Sequence, residues 1–153
     1  MYLIDTNTYA FILRDEHGVG DVVRKKDPYL DVSYISTIVV AEVLFDGRLK
    51  YLEQLTTGKA RHGGTIGLIS EGIKKDIEGL NEFNICAYTD DAEKIFNSIY
   101  NKKENGPSKE DWRLAAHAIT LDMVLVTDNI SDFERIKQYA PKLKYENWAN
   151  RST

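Results

Sequence analysis

Three observations predict an α/β fold for this chain: a three-layer, Rossmann-like arrangement with a mostly parallel five-stranded sheet flanked by helices. Short apolar runs alternate with longer stretches whose apolar residues recur at helical spacing. The runs Tyr2-Leu3-Ile4 and Met123-Val124-Leu125-Val126-Thr127 are apolar nearly throughout, as strands covered on both faces are. Cap-forming residues (Asp5-Thr6, Ser36-Thr37, Thr89-Asp90 and Ser108) stand where runs give way to helical stretches.

The elements follow in order. Tyr2-Leu3-Ile4 is a first strand, and Asp5-Thr6-Asn7-Thr8 opens a helix through Tyr9, Phe11, Ile12 and Leu13. His17-Gly18-Val19-Gly20 breaks it, and a short helix over Asp21 to Lys26 stops at Asp27-Pro28. Val32-Ser33-Tyr34-Ile35 is a second strand. Ser36-Thr37 then opens a long helix with Ile38, Ala41, Phe45, Leu49 and Leu52 on one stripe. Gly58, Gly63 and Gly64 mark a loop, and Ile66, Ile69, Ile73, Ile77 and Leu80 mark the next helix, closed by Asn81. Ile85-Cys86-Ala87-Tyr88 is a third strand, followed by a helix to about Lys103 and a break at Glu104-Asn105-Gly106-Pro107. Ser108-Lys109-Glu110-Asp111 has the form of a capping box opening a helix through Leu121. Met123 to Thr127 is the fourth strand; a short helix over Ser131 to Tyr139 and a strand near Leu143 to Trp148 complete the chain.

With 153 residues, 42% hydrophobic and 29% charged, the composition is that of one globular domain over 1–150, with 151–153 a tail. No apolar run approaches the roughly 20 residues of a membrane helix, so no membrane association is expected. The start lacks a basic region and cleavage site, which points to a cytoplasmic protein. Cys86, the single cysteine, lies in an apolar run and is expected to pack there. The net charge of −4 argues against binding nucleic acid with the whole surface, although Arg24-Lys25-Lys26, Lys74-Lys75 and Lys102-Lys103 are local basic clusters.

The informative residues are acids beside apolar runs or at helix starts: Asp5, Glu42, Asp111, Asp128 and Asp132. A carboxylate among Val, Ile and Leu is costly unless its charge is compensated, and several meeting at one point call for a divalent cation. Open parallel sheets place their crevice beyond the carboxyl ends of the strands. Asp5 ends the first strand, and Asp128 to Asp132 follow the fourth. Each acid also has an ordinary reading: a cap for Asp5, a first-turn acid for Asp111 and Asp132, a turn residue for Asp128. Glu42 sits in Ile38-Val39-Val40-Ala41-Glu42-Val43-Leu44-Phe45, where the helix is expected to be buried nearly all round. The alternative is a narrow polar strip shared with Asp46. His117, among alanines, is read as packing.

Four segments together resemble the PIN-domain nucleases, most closely the VapC-type toxins of toxin–antitoxin pairs. They are Tyr2 to Asn7, Ile35 to Leu44, Glu110 to Ala118 and Val124 to Phe133, followed by Glu146-Asn147-Trp148. The resemblance implies catalytic, metal-holding roles for Asp5, Glu42, Asp111 and Asp132, with Asn129 and Asp128 as alternative ligands and Thr6 orienting a ligand or water. It further implies an endoribonuclease acting on transfer or ribosomal RNA, a homodimer, and a cognate VapB-type antitoxin. An all-oxygen donor set selects Mg²⁺ or Mn²⁺. Lys25, Lys26 and Arg113 are candidate RNA contacts. The segment 58–84 is longer than in compact members of that family. Two other readings stay open: a Rossmann-like phosphatase, disfavoured because Asp5-Thr6-Asn7 carries no second acid, and a non-catalytic RNA-binding or interaction protein of the same fold.

Overall fold

The computed structural model describes residues 1–57 and 66–150. Five strands, β1 (Tyr2–Ile4), β2 (Ser33–Ser36), β3 (Asn84–Cys86), β4 (Val124–Val126) and β5 (Lys144–Glu146), form one sheet in the order β3-β2-β1-β4-β5. Every neighbouring pair is parallel, so the sheet is wholly rather than mostly parallel. Leu3, Ile4, Ile35, Leu125 and Val126 are completely buried. Burying such side chains contributes about 1.5–3 kcal/mol apiece, which is why these central strands can be so short. From β1 the chain builds outward through β2 to β3, then returns to the other side of β1 for β4 and β5. The order therefore reverses between β1 and β4, and the crevice of an open α/β sheet opens at the carboxyl ends beside such a reversal. Asp5 stands there, its amide bonded to the Val126 carbonyl at 3.0 Å.

The helices are α1 (Thr6–Arg14), α2 (Val19–Lys26), α3 (Thr37–Ala41), α4 (Lys50–Thr56), α5 (Ile66–Leu80), α6 (Asp90–Ile99), α7 (Lys109–Thr120) and α8 (Ile130–Tyr139). Between α3 and α4, residues Glu42–Leu49 form a π-helix. The expected single helix with Ile38, Ala41 and Phe45 inward is thus corrected. The core-facing stripe is Val39, Val40, Val43 and Leu44, an ordinary helical spacing offset from the expected one, while Ala41 is exposed and Phe45 is 65% exposed. The side chain of Asp46 lies outside the described residues, as does the glycine loop expected around Gly58, Gly63 and Gly64. Helix α2 begins two residues earlier than expected, because Val19 is fully buried. Helix α6 ends earlier, at Ile99, where Tyr100 turns extended and stacks on Phe96 at 4.9 Å. Strand β3 lies at a sheet edge, leaving Ile85 47% exposed. Among the described residues no helix is long and apolar enough to cross a membrane.

His117 of α7 is completely buried and its Nδ1 lies 2.9 Å from Ser36 Oγ. Ser36 Oγ also accepts the Ile38 amide, capping α3. The hydroxyl proton is therefore available to Nδ1, which makes the neutral ring the matching form. Burial holds the pKa of His117 down, partly opposed by the Ala87 backbone. Ser36 precedes Glu42 by six positions, and Asp111 precedes His117 by six. Two antiparallel helices joined at Ser36–His117 bring the two acids toward each other at the other end. Replacing His117 with Leu deprives a buried hydroxyl of its acceptor and is expected to cost about 1–3 kcal/mol. His117→Asn, whose Oδ1 can accept at the Nδ1 position, should recover most of that loss in a urea titration. Equal losses in both variants would show that ring packing, not the hydrogen bond, matters.

Candidate functional site

At the carboxyl ends of β1 and β4 the surface opens into a pocket of about 270 Å³ lined by Asp5, Thr6, Asn7, Glu42, Glu110, Asp111, Leu114 and Asn129. Four of these eight residues are acids, and none is Lys or Arg. Residues more than 100 positions apart meet here because β1 and β4 are neighbours, while the π-helix and the start of α7 supply the other walls.

Asp5 is 5% exposed and its Oδ1 accepts the Thr8 amide at 2.7 Å, capping α1. Burial raises its pKa, opposed by hydrogen bonds from Thr127 and Thr8 and reinforced by the charge of Asp111. Asp111 closes the capping box: its Oδ2 accepts the Ser108 amide at 2.8 Å and the Ser108 hydroxyl at 2.9 Å. Burial raises the Asp111 pKa too, with Asp132 and Glu110 adding repulsion. In both residues the cap engages one carboxylate oxygen and leaves the other outside it. The structural and chemical readings are thus compatible.

Glu42 is half-buried, and its Oε2 accepts the hydroxyl of Thr6. Burial raises its pKa, with the charges of Asp111, Glu110 and Asp5 acting in the same direction. The surrounding helix is not buried all round, as the exposure of Phe45 shows. Glu42 instead opens the π-helix, and such irregularities are frequent at functional sites.

Of the three candidates after β4, Asn129 lines the pocket. Its Nδ2 donates to Asp132 Oδ2 at 2.8 Å, so Asp132 stands behind the wall while still repelling Asp111. Asp128 accepts a hydrogen bond from Asn147 Nδ2 at 3.3 Å. Glu110 and Asn7 are wall residues the sequence reading missed. Their signal was position alone: Glu110 precedes Asp111 in the first turn of α7, and Asn7 follows Asp5 by two residues.

Two of the three expected cationic contacts have other engagements. Lys26 Nζ lies 2.6 Å from Glu146 Oε2 and over the rings of Tyr2 and Trp148. Arg113 makes two 3.2 Å bonds to Glu93 and lies over Phe96. Lys25 is exposed on α2.

Gly106 has φ +121°, a conformation that L side chains rarely adopt. A Cβ there would stand 2.7 Å from Asp132 Oδ1 and 2.9 Å from Arg135 Nη1. Arg135 also donates to the Asn105 carbonyl, and Tyr139 Oη to Glu104 Oε2 at 3.1 Å. The loop is therefore seated on α8 directly behind the acids. Gly106→Ala is expected to destabilise the fold by about 1–3 kcal/mol. An unchanged melting temperature would show that the loop relaxes freely.

The donor set fits a hard divalent cation, since every ionisable group on the wall is a carboxylate, and burial, with mutual repulsion added, raises the pKa of three of them. Among the described residues no group of three or more His, Cys, Asp and Glu is arranged to hold an ion as it stands.

No family model and no curated protein matches the sequence. Solved structures do match. A chain of DNA-bound VapBC from Salmonella typhimurium aligns with TM-score 0.70 and 19% identity, over 97% of this chain and 98% of that one. A chain of VapBC2 from Rickettsia felis, bound to a promoter DNA fragment, aligns with TM-score 0.64 and 22% identity, over 96% and 98%. A chain of a toxin–antitoxin complex from Klebsiella pneumoniae aligns with TM-score 0.60 and 18% identity, over 98% and 99%. The fold of this chain is the PIN-domain fold, along its whole described length.

Proposed function

We propose that this protein is a Mg²⁺- or Mn²⁺-dependent endoribonuclease, the toxin of a VapBC-type toxin–antitoxin pair. The observation that carries the proposal is the meeting of Asp5, Glu42 and Asp111 in one pocket at the switch point of a parallel sheet. The similarity to chains of toxin–antitoxin complexes supports the same reading. The choice of RNA, and of transfer or ribosomal RNA in particular, follows the sequence resemblance. So do the homodimer and the VapB-type antitoxin.

Asp5, Glu42 and Asp111 would hold the cation, with Asp132 behind Asn129 as a further carboxylate for a hydrated ion. When bound, the cation polarises a water and neutralises charge on the scissile phosphate. Thr6 holds Oε2 of Glu42, which fixes the direction of Oε1. The caps fix Asp5 and Asp111 on their helices, so the acids are oriented by backbone rather than by one another. Leu114 forms an apolar part of the wall.

Purified protein is given labelled RNA with Mn²⁺, with Mg²⁺ or with chelator. Cleavage that needs the cation supports the reading, and chelator-insensitive cleavage removes it. A non-catalytic RNA-binding protein is the second reading, favoured by the absence of a ready-made ion cluster among the described residues. It predicts RNA binding with no cleavage under any cation.

A further inference from the structure

We infer that the segment 102–109 is the phosphate-gripping edge of the site, with Lys102, Lys103 and Lys109 contacting the RNA strand beside the scissile bond. This rests on the proposed nuclease reading. An acidic pocket with no Lys or Arg on its wall cannot hold a polyanion by itself, so the cations must stand at its border. Several basic side chains elsewhere are already engaged: Arg24 by Asp21, Lys26 by Glu146, Lys94 by Asp91, Arg113 by Glu93 and Lys144 by Asp122. Lys102, Lys103 and Lys109 are exposed, and none makes an ion pair among the described residues.

The backbone that carries them is tied to the acids. Ser108 is bonded to Asp111, and Gly106 lies against Asp132. Three residues of chain span at most roughly 11 Å, so Lys103 lies within that reach of Gly106, and Lys109 shares the first turn of α7 with Glu110 and Asp111. The acid within the segment, Glu104, and the one just after it, Glu110, do not cancel the charge where it is needed. Glu104 accepts from Tyr139, and Glu110 faces the pocket. The seat on α8, through Arg135 and Tyr139, holds the loop in place before RNA arrives. A pre-placed set of charges loses less freedom on binding than one assembled on contact.

The test is the salt dependence of binding to a labelled single-stranded RNA oligonucleotide, read by fluorescence anisotropy in chelator so that nothing is cleaved. Each phosphate contact to a single strand contributes about 0.7 to the slope of log K against log salt. The Lys102→Gln/Lys103→Gln/Lys109→Gln protein should therefore show a slope shallower by about 2 and binding at least about tenfold weaker at low salt. Lys75→Gln/Lys142→Gln, which removes exposed charge elsewhere, should bind like the parent. An unchanged slope in the triple variant, or an equal loss in the control, overturns the proposal. If the triple variant is unaffected while the parent still cleaves RNA with Mn²⁺, only this inference falls. If the parent neither binds nor cleaves any RNA, the nuclease reading falls with it. Preferential binding of a DNA strand of the same sequence would also overturn the inference as an RNA-holding edge.

Discussion

Asp5→Asn is expected to lower RNA cleavage at least about a hundredfold while leaving the protein as stable as its parent, or more so. A cation held by carboxylates stabilises the transition state by several kcal/mol, and each 1.4 kcal/mol is about a factor of ten. Removing one charged ligand forfeits much of that. The fold, by contrast, loses little. Asn caps a helix about as well as Asp, so Oδ1 still accepts the Thr8 amide. The substitution also removes a charge whose burial is unfavourable, as the raised pKa of Asp5 records. In metal-free buffer at neutral pH the variant should therefore melt at or above the parent, each 1 kcal/mol being roughly 2–4 °C for a domain of this size. Single-turnover cleavage and a thermal melt on the same preparation decide the matter. An inactive variant that melts well below the parent would make Asp5 a structural residue. Undiminished cleavage would take it out of the chemistry.

The same residue shows how much of the site was legible. Asp5 could be read as a cap or as a ligand; its place at a strand end and the family resemblance favoured the ligand without excluding the cap. The structure makes it both a cap, through Oδ1, and a residue of the pocket wall. Asp111 repeats this: its capping box was readable from Ser108, and its place beside the other acids only from the resemblance. Strand ends and cap signals are local, so β1, β4 and the start of α7 could be found from periodicity. The partition among Asp128, Asn129 and Asp132 could not, because it depends on which side chain the turn after β4 points inward, and Asn129 and Asp132 bond to each other across three residues. The π-helix was invisible for a related reason. A 3.6-residue pattern assumes uniform turns and shows no hydrogen-bond shift, and the core face runs through Val39, Val40, Val43 and Leu44, which leaves Phe45 exposed. Lys26 and Arg113 looked like available cations because their partners, Glu146 and Glu93, are 120 and 20 residues away. Ion pairs across elements leave no mark in a sequence read one segment at a time.

A second large effect is expected from pH and cation together. Asp5, Glu42 and Asp111 all have pKa values raised above their ordinary values of 3.8, 4.5 and 3.8. A raised carboxylate means that the folded state binds protons more tightly than the unfolded chain. Its contribution to stability is complete below the ordinary value and is lost as pH rises through the folded value. The metal-free protein should therefore lose stability from these groups as pH climbs from about 4 toward neutral. His117 acts oppositely: its lowered pKa makes the fold more stable as pH rises toward its ordinary 6.5. The total curve mixes the two, and the cation separates them. Binding requires deprotonated carboxylates, so the rise in melting temperature caused by Mn²⁺ should be small near pH 4.5 and large near pH 7.5. At a hundred times its dissociation constant a ligand stabilises by about 2.7 kcal/mol, or roughly 5–10 °C here. Glu42→Gln and Asp111→Asn should each shrink that increment, whereas Lys25→Gln should not. A shift of the same size at both pH values would mean that Mn²⁺ binds elsewhere, and no shift at pH 7.5 would leave the four acids of the pocket without the cation that justifies their meeting.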